Sequence, residues 1–527
     1  MVRAEGSQLR HVTVDVYAWY VLGVLSLVYA VNFIDRQILS ILAQDIKADL
    51  GVSDAQLGFL YGTAFAIFYS LFGIPLGRLA DGWYRGRLIA LGLTLWSGMT
   101  ALSGLASSFG QLAAARVGVG VGEASASPAA YSLLGDYFPP ERRALAFAIY
   151  SAGLLVGLSL SLPIGGSIAH GWTRHFAAGN APFGLAGWQA AFLAVGIPGL
   201  LLAAWVLTLR EPPRGLADGH PSPARRPAIW REFAREIGAI LPPFTLLSVA
   251  RIPGALRLNM LLLVATAGAV AVLVRMSGDL LQWGAVGVGV YATGSWMQRL
   301  RAMDRPTFTL LWGTPAVVLA LLSSGFLAFI SYAVAFWVPP YAMRTFHIGA
   351  DSAGWMLGVP QGLASAAGVI LAGRLSDAWR ARDPRGRVFV GMLTLTLAPP
   401  IVYATLSVGD VHTLYLLNPL AALVVSSWIG SSAALIQDCV LPRMRGTAAA
   451  TYLLVISLLG LALSPYLVGK VSVLTGSLRL GILSIFIVTP IGLCVMWRVA
   501  RELPLAEATK AARARAVGEN GDAGIAP

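Results

Sequence analysis

The sequence NFIDR, at Asn32–Arg36, places an acid beside a base within a long apolar segment. The sequence RVGVGVGE, at Arg116–Glu123, places a base and an acid within the fourth such segment. A charge at bilayer depth costs at least ~2.5–3.5 kcal/mol, so it needs a partner charge, a water-filled cavity or a functional role. These two stretches decide the architecture that the rest of the chain must build.

The composition is that of an integral membrane protein. Of 527 residues, 57% are hydrophobic and 12% are charged, and the mean hydropathy is +0.70. Soluble proteins carry about 25% charged residues. Apolar runs of roughly 20 residues, the length that spans a bilayer core, recur along the chain. The first run is too long for a signal-peptide core and no small-residue cleavage site follows it, so we interpret it as a retained membrane helix.

The net charge of +13 reflects membrane topology. The arginines lie between apolar segments on alternate sides, which is the positive-inside pattern. We therefore expect both termini in the cytoplasm, a multi-pass position in the inner cell membrane, and no nucleic-acid partner. We also expect a monomer.

The chain lacks the sequence motifs of enzymes and metalloproteins. Its two cysteines, Cys439 and Cys494, offer no disulfide framework or metal motif. We find no nucleotide-binding loop and no nucleophile elbow. We expect no cofactor, no metal and no catalytic residues.

The domain organisation follows from the apolar segments. A cytoplasmic amino terminus should cover 1–15, a six-helix bundle 16–210, and a cytoplasmic linker 211–254 with a short amphipathic helix near Trp230–Ala239. An inserted transmembrane hairpin should cover 255–305, although a peripheral amphipathic excursion would also fit. A second six-helix bundle at 306–504 and a disordered cytoplasmic tail at 505–527 complete the chain.

An internal repeat relates the two bundles. The sequence GRLADGW at Gly77–Trp83 reappears as GRLSDAW at Gly373–Trp379. Further along, three residues in each half are spaced alike, Asp136, Pro140 and Arg143 in the first and Asp438, Pro442 and Arg445 in the second. The repeat predicts an all-α fold of two six-helix bundles related by a pseudo-two-fold axis, with a substrate cavity between them near mid-membrane.

The repeated loops are candidate gates. A charged loop can pair its aspartate with an arginine in one conformation and release it in another. The simpler alternative is a basic loop that only sets topology. The candidate gating residues are Gly77, Asp81, Arg85, Arg143, Gly373, Asp377 and Arg445.

The fourth segment carries a candidate proton carrier. Arg116 and Glu123 are seven positions apart, two helical turns on one face. Gly118 and Gly122 form a strip that another helix can approach closely, and Gly120 thins the other side. A structural ion pair is one interpretation. The sharper one is that Glu123 gains and loses a proton as access alternates.

The first segment carries the candidate anion contact. Asp35 and Arg36 should lie at a depth comparable with that of Arg116. We predict that Asp35 pairs with Arg116, which leaves Arg36 to face a substrate anion. A wholly structural cluster of the three residues is the alternative.

The second half has no acid that corresponds to Glu123. Its candidate substrate contacts are polar or aromatic, although aromatic residues in membrane helices more often pack or anchor. They are Tyr332, Trp337, Gln361, Trp428 and Tyr452. A pocket charged on one side and apolar on the other suits an amphiphile with a charged head.

These motifs resemble those of the major facilitator superfamily. Gly77–Asp81 with Arg85 is similar to its loop signature, and Arg116–Gly122 to its fourth-helix signature. Within that superfamily, Asn32–Arg36 and Val119–Ser125 resemble the spinster family of lysolipid and sphingosine-phosphate transporters.

The resemblance implies twelve core helices, rocking-bundle alternating access and a lipid-like substrate. It implies proton coupling at Asp35 and Glu123, and headgroup or gating contacts at Arg36 and Arg116. Asn32, in the same stretch as Arg36, is a further candidate substrate contact. The chain departs from the pattern at Gly82 and Tyr84, and in its inserted hairpin.

Three functional interpretations stay open. The first is a proton-coupled carrier of an amphiphilic anion such as a lysophospholipid or a sphingosine-phosphate-like lipid. The second is a multidrug or small organic-acid carrier. The third, of another class, is a lipid sensor or scramblase that turns over no solute.

Overall fold

The described residues of the first half of the chain fold into eight α-helices that form six helical segments, four of which are long and apolar enough to cross a membrane. The computed structural model describes residues 15–214, 229–242, 244–250, 252 and 254–519, so the expectations for 1–14, 215–228 and 520–527 lie outside the described residues. The helices before the linker are α1 Val16–Leu50, α2 Asp54–Tyr61, α3 Thr63–Gly82, α4 Arg85–Ser103, α5 Phe109–Glu123, α6 Ala126–Tyr137, α7 Pro140–His175 and α8 Gly187–Val206.

The linker and the insertion are helical too. They comprise α9 Ile229–Ile240, α10 Phe244–Ala250, α11 Ala255–Ser277 and α12 Leu280–Met303. The helix predicted near Trp230–Ala239 is present as α9 and packs against α3 and α12.

The second half repeats the plan of six spans. Its helices are α13 Arg305–Leu311, α14 Pro315–Phe346, α15 Ala350–Ala353, α16 Val359–Arg380, α17 Gly386–Thr405, α18 Val411–Ser426, α19 Trp428–Asp438, α20 Arg445–Val455, α21 Ser464–Thr475, α22 Leu478–Ser484, α23 Val488–Ala508 and α24 Lys510–Arg515. Two π-helical turns, Gly354–Gly358 and Ile456–Leu461, join α15 to α16 and α20 to α21. Among the described residues, eleven helices are long and apolar enough to cross a membrane.

Two spans of the first half are broken where function is expected. The second span begins at a capping box, in which Ser53 and Gln56 satisfy each other's backbone N–H groups, and it breaks at Gly62. The fourth span breaks at Ala124 and Ser125, directly after Glu123. The break places the Glu123 carboxylate at the end of α5, in the middle of the bundle.

The internal repeat reappears as matching ion pairs. Arg85 pairs with Asp136 in the first half, and Arg387 pairs with Asp438 at 2.7 Å in the second. The two partners are 51 residues apart in each pair. The two halves are therefore built on one plan, as the sequence repeat predicted.

The halves meet at one end of the molecule, which we call the sealed end. There Arg344 donates to both carboxylate oxygens of Asp54, at 2.7 and 2.5 Å, and His170 lies 3.8 Å from Asp351. Within the described residues, the Arg344–Asp54 salt bridge is the contact between unambiguously charged groups that joins the halves directly. The opposite end, which holds the start of α1 and the loops with Arg85 and Arg387, is the arginine-rich end.

Close helix contact at the sealed end depends on glycine. A Cβ atom on Gly58 would collide with the carbonyl group of Pro465 in the other half, whereas one on Gly73 in the same span would meet nothing within 4 Å. Alanine gains ~1 kcal/mol of helix propensity over glycine, and overpacking costs ~1–3 kcal/mol.

We therefore expect Gly58→Ala to lower the melting temperature of the purified protein and Gly73→Ala to leave it unchanged or raise it. Thermal unfolding of the two variants side by side checks this. Equal shifts of the same sign would contradict a close glycine contact between the halves.

The inserted hairpin α11–α12 touches both halves. The Thr63 hydroxyl lies 2.6 Å from Gln282 Oε1 of the hairpin and 2.5 Å from the Ala462 carbonyl oxygen of the second half. At the hairpin turn, Lys470 donates to Asp279 at 2.7 Å. The hairpin thus lies over the seam between α3 and the α20–α21 span.

Linker helix α9 ties the base of the hairpin to the first half. Glu236 accepts from Arg299 of α12 at 2.9 Å and pairs with Arg78 of α3 at 3.0 Å.

The predicted disorder of the tail is wrong for residues 505–519. The last span continues to Ala508 and α24 follows it. Arg380 donates to Glu507 at 2.5 Å, Ala514 is buried, and Arg443 hydrogen-bonds Glu519. The hydrogen bonds from Arg443 lower the pKa of the Glu519 carboxyl, so the Arg443–Glu519 contact persists at neutral pH and is lost only on acidification. The alanine-rich composition reads as disorder because it lacks large apolar residues, yet its small side chains pack closely.

Candidate functional site

A buried ion pair between α1 and α5 forms the centre of the first half. Arg36 Nη2 donates to Glu123 Oε2 at 2.7 Å, and Arg36 Nε donates to the same oxygen at 3.2 Å. Both side chains are almost wholly buried. The second oxygen, Oε1, accepts no hydrogen bond from the described residues. Asn32, one helical turn before Arg36, lies beside the Glu123 carboxyl.

Glycine residues in α5 allow neighbouring helices to pack closely against it. A Cβ on Gly118 would lie 2.5 Å from the Met99 side chain, and one on Gly122 would lie 2.8 Å from the Trp96 nitrogen, both on α4. A Cβ on Gly120 would lie 2.5 Å from the Phe65 carbonyl oxygen on α3. The predicted glycine strip is confirmed, and it brings α3 and α4 against the helix that carries Glu123.

The predicted pairing of Asp35 with Arg116 is wrong at the level of side chains. Arg116 is fully buried, and it donates to the backbone carbonyls of Asp35 at 3.3 Å and Leu60 at 3.4 Å. The Asp35 carboxylate accepts no hydrogen bond within the described residues, although Trp96 and Thr100 lie beside it. The three residues lie close together, but the side chain that takes a carboxylate partner is Arg36, with Glu123.

Aromatic rings surround Arg36, and sequence reasoning missed them. The Arg36 guanidinium lies 4.8 Å from the ring centre of Phe33, 4.3 Å from that of Phe65 and 4.9 Å from that of Tyr69. Such contacts stabilise a cation by about 0.5–2 kcal/mol each. Phe65 and Tyr69 are four positions apart, so they share a helix face, and that spacing was the available signal.

A second aromatic group continues from this site. Tyr29 and Tyr150 stack at 4.5 Å, and Tyr131 meets Tyr150 edge-on at 5.1 Å. The first half therefore supplies both the charges and a large aromatic wall. The predicted division, with charges in the first half and aromatic residues in the second, is therefore wrong for the aromatic residues, because the first half carries many of them as well.

The candidates of the second half divide into two groups. Tyr332 lies within electrostatic range of Arg36, and Tyr452 lies near Tyr332 with a buried hydroxyl that has no partner within the described residues. Trp337 is fully buried and donates to the Pro465 carbonyl at 2.9 Å.

Trp428 and Gln361 complete that list. Trp428 is also buried and donates to Ser331 at 2.7 Å, while Asn418 donates to Gln361 at 3.4 Å. The structure thus brings Tyr332 and Tyr452 towards the charged site, and it engages both tryptophans in packing.

The candidate gates of the first half are occupied by contacts within that half. Arg85 is fully buried and donates to Glu211 at 2.7 Å, to the Ser132 carbonyl at 2.9 Å and to Asp136. Arg143 donates to the Gly135 carbonyl at 2.8 Å.

The other members of the repeated loops lie nearby. Asp81 is in electrostatic contact with Arg214, and a Cβ on Gly77 would meet Pro128 at 3.8 Å. In the second half, Asp377 pairs with Arg387 at 3.3 Å, Gly373 has open space around its Cα, and the Arg445 carbonyl accepts from Gln437. Within the described residues, these loops brace each half separately.

The charges at the site balance. Two guanidinium groups, Arg36 and Arg116, face two carboxyl groups, Asp35 and Glu123. An anion that bound at Arg36 would add one negative charge to a buried site, and a buried uncompensated charge is strongly unfavourable. Protonation of one carboxylate restores the balance. The arrangement can therefore bind a proton together with an anion.

Comparison with known proteins gives a family and several relatives. Residues 25–339 match the family model described as Major Facilitator Superfamily. The chain is 28% identical over 456 residues to an MFS-type efflux pump of Mycolicibacterium smegmatis, covering 86% of this chain and 84% of that protein. It is 28% identical over 182 residues to a probable L-galactonate transporter of Escherichia coli, covering 34% of this chain and 37% of that protein.

A solved structure is similar over nearly the whole chain. It is a bacterial homolog to the human lysosomal transporter spinster, in an inward-facing and unoccupied conformation. The TM-score is 0.65 at 26% identity, covering 95% of this chain and 98% of that one.

Proposed function

Because this chain belongs to the Major Facilitator Superfamily, we propose that it is an alternating-access secondary transporter that carries protons together with an amphiphilic anion, such as a lysophospholipid or a sphingosine-phosphate-like lipid. The observation that carries the proposal is the buried Arg36–Glu123 pair, in which an arginine suited to a substrate anion is held by a carboxylate that can take up a proton.

The coupling follows from competition for Arg36. While Glu123 is ionised, it occupies the guanidinium. When Glu123 takes up a proton, it can no longer form the charge-assisted pair, and Arg36 is free for a phosphate or carboxylate group. The four-charge balance of the site then favours one proton for each negative charge carried. Asp35, whose carboxylate has no hydrogen-bond partner among the described residues, is the second candidate proton carrier.

The lipid-like substrate is supported by the aromatic wall. Phe33, Phe65 and Tyr69 frame Arg36, and the stacked pair Tyr29–Tyr150 extends the apolar surface away from it. A charged head at Arg36 and an alkyl chain along the tyrosines would satisfy both surfaces. Asn32, Tyr332 and Tyr452 are the proposed polar contacts of the head.

The conformation and topology belong to the same proposal. The halves meet at the sealed end, and the arginine-rich end carries the loops that the positive-inside pattern assigns to the cytoplasm. We place both termini in the cytoplasm, so the conformer faces inward, and the Gly77–Asp81 and Gly373–Asp377 loops act as inner gates that form when the transporter turns outward.

Ligand-induced thermal stabilisation of the purified protein tests the substrate class. We expect a lysolipid phosphate to raise the melting temperature, because a ligand at about a hundred times its Kd adds ~2.7 kcal/mol to the folded state. The shift should vanish in Arg36→Gln and persist in Arg498→Gln, a control at an exposed arginine of α23. Stabilisation that survives Arg36→Gln would contradict the proposed anion contact.

A carrier of drugs or small organic acids is the second candidate. It is favoured by the efflux pump and the L-galactonate transporter among the relatives. Cationic drugs or sugar acids that stabilise the protein while lysolipids do not would select it. A lipid sensor or scramblase predicts binding without counterflow, so proteoliposomes that bind lysolipid but exchange none would select that class.

A further inference from the structure

A cavity of about 670 Å³ opens at the sealed end, away from the Arg36–Glu123 site. Its walls come from both halves of the protein. The first half contributes Lys47 and Asp54, and the second contributes Arg344 and Arg479 together with Ser477. The sequence predictions assigned nothing here.

The charges of this cavity do not balance. Three cations, Lys47, Arg344 and Arg479, line it together with one carboxylate, Asp54. Arg479 donates to the Ser407 hydroxyl at 2.5 Å, and its buried Nε has no partner within the described residues. A concave site with an excess of one sign of charge concentrates counter-ions.

Asp54 takes the place that an external anion would occupy. It accepts two hydrogen bonds from Arg344, one from Lys47 at 2.7 Å and one from Ser472 at 2.7 Å. A bidentate guanidinium contact is the geometry that phosphate and carboxylate groups prefer. An oxyanion that enters the cavity therefore meets the same donors that hold Asp54.

We propose that this cavity is a binding site for an oxyanion, either a free phosphate or carboxylate or the head of an amphiphile, held by Arg479 and Lys47 in competition with Asp54 for Arg344. The site is separate from the transport site. Because Asp54 and Arg344 join the two halves, occupation of the cavity weakens the contact that seals this end.

Because Asp54 competes with the anion, two substitutions should change anion affinity in opposite directions. Arg479→Gln removes a cation and should weaken binding, whereas Asp54→Asn removes the competing carboxylate and should strengthen it. Even in bulk water one charge at contact distance changes affinity by about fivefold, and the lower dielectric constant near a protein surface increases that factor. Arg479→Lys, which keeps the charge, should bind better than Arg479→Gln.

Protection of a cysteine measures the binding. Ser477 lines the cavity, Cys494 is exposed and Cys439 is buried, so Ser477→Cys in a Cys494→Ser background gives one accessible thiol at the site. We would measure its rate of alkylation in the purified full-length protein over a series of inorganic phosphate concentrations, against sodium chloride of equal ionic strength. Phosphate should slow alkylation, with a midpoint that rises in Arg479→Gln and falls in Asp54→Asn.

Two further arms decide the source of the anion and guard against misfolding. Glycerol 3-phosphate and a long-chain lysophosphatidic acid, compared in proteoliposomes, separate a free oxyanion from a lipid head. If Arg479→Gln does not fold, Lys47→Gln takes its place, provided that gel filtration shows it to be monodisperse. It should show the same weakening of phosphate protection. Phosphate that protects no better than chloride, or protection unchanged in both cation variants, would overturn the proposal.

Discussion

Replacement of Glu123 by glutamine is expected to reduce substrate accumulation driven by a pH gradient by about tenfold or more, while counterflow of the same substrate continues. Glutamine keeps the shape of the side chain and an acceptor oxygen for Arg36, but it neither ionises nor carries a proton. Arg36 would then be available to the anion at every pH. Binding would persist and lose its coupling to protons.

Reconstituted proteoliposomes measure both quantities in one preparation. A pH gradient drives accumulation, and preloaded substrate drives counterflow. Glu232→Gln, at an exposed position of linker helix α9, is the matched control and should behave as wild type. Accumulation that is unchanged in Glu123→Gln would contradict the proposed role of this residue.

Asp35→Asn separates the two candidate carboxyl groups. The Asp35 carboxylate has no hydrogen-bond partner in the described residues, whereas Glu123 holds Arg36. If Glu123 alone carries the proton, Asp35→Asn should lower turnover and leave the pH dependence in place. Loss of pH dependence in Asp35→Asn alone would move the proton to Asp35.

Replacement of Arg85 by alanine is expected to destabilise the protein by ~3–5 kcal/mol, the cost of removing one partner from a buried ion pair. Its side chain is 1% exposed, and it holds Asp136, Glu211 and the Ser132 carbonyl. Without it, the partly buried Glu211 carboxylate at the start of the linker would lose its guanidinium partner. Thermal unfolding in detergent measures the effect.

The corresponding residue of the second half provides the control. Arg387 is 16% exposed, and its partner Asp377 is 75% exposed. Water can solvate the freed Asp377, and Arg380 still reaches Asp438 at 3.5 Å. Arg387→Ala should therefore cost only about 1 kcal/mol or less, as surface pairs do. Equal losses in the two variants would contradict a difference in burial between the repeated loops.

Sequence patterns predicted the two-bundle plan because that plan depends on spacing. The repeated loops, the residues Asp136 and Asp438, and the glycines of α5 all lie where periodicity placed them. Each statement concerned position along a helix or along the chain, which residue numbers express directly.

The pairing of Asp35 failed because it depended on rotation about a helix axis. Asp35 and Arg36 are adjacent, and consecutive side chains on an α-helix diverge by about 100°. Depth in the membrane is nearly the same for both, so depth could not decide which of them meets α5. The rotation of α1 is set by its packing against other helices, chiefly α7, which residue spacing within α1 does not reveal.

The sealed end was missed for a related reason. Arg344 lies at the end of a span, where a basic residue ordinarily reports topology, and Asp54 lies in the first turn of another span, where acidic residues are common. Each has an adequate local explanation. The contact between them depends on how two halves that are far apart in sequence come together.

In the proposed alternating-access cycle, three bodies must rearrange, because the hairpin contacts both halves. Gln282 contacts Thr63 and Ala462, which belong to opposite halves, so a slide of one half past the other must break one of these contacts, whichever half the hairpin follows. The same holds at its base, where Asp304 pairs with Arg443 while Glu236 links Arg299 to Arg78. Such a linkage would slow each conformational change without altering the substrate-binding site. Weakening the hairpin contacts would then change the turnover rate of transport and leave its substrate selectivity unchanged.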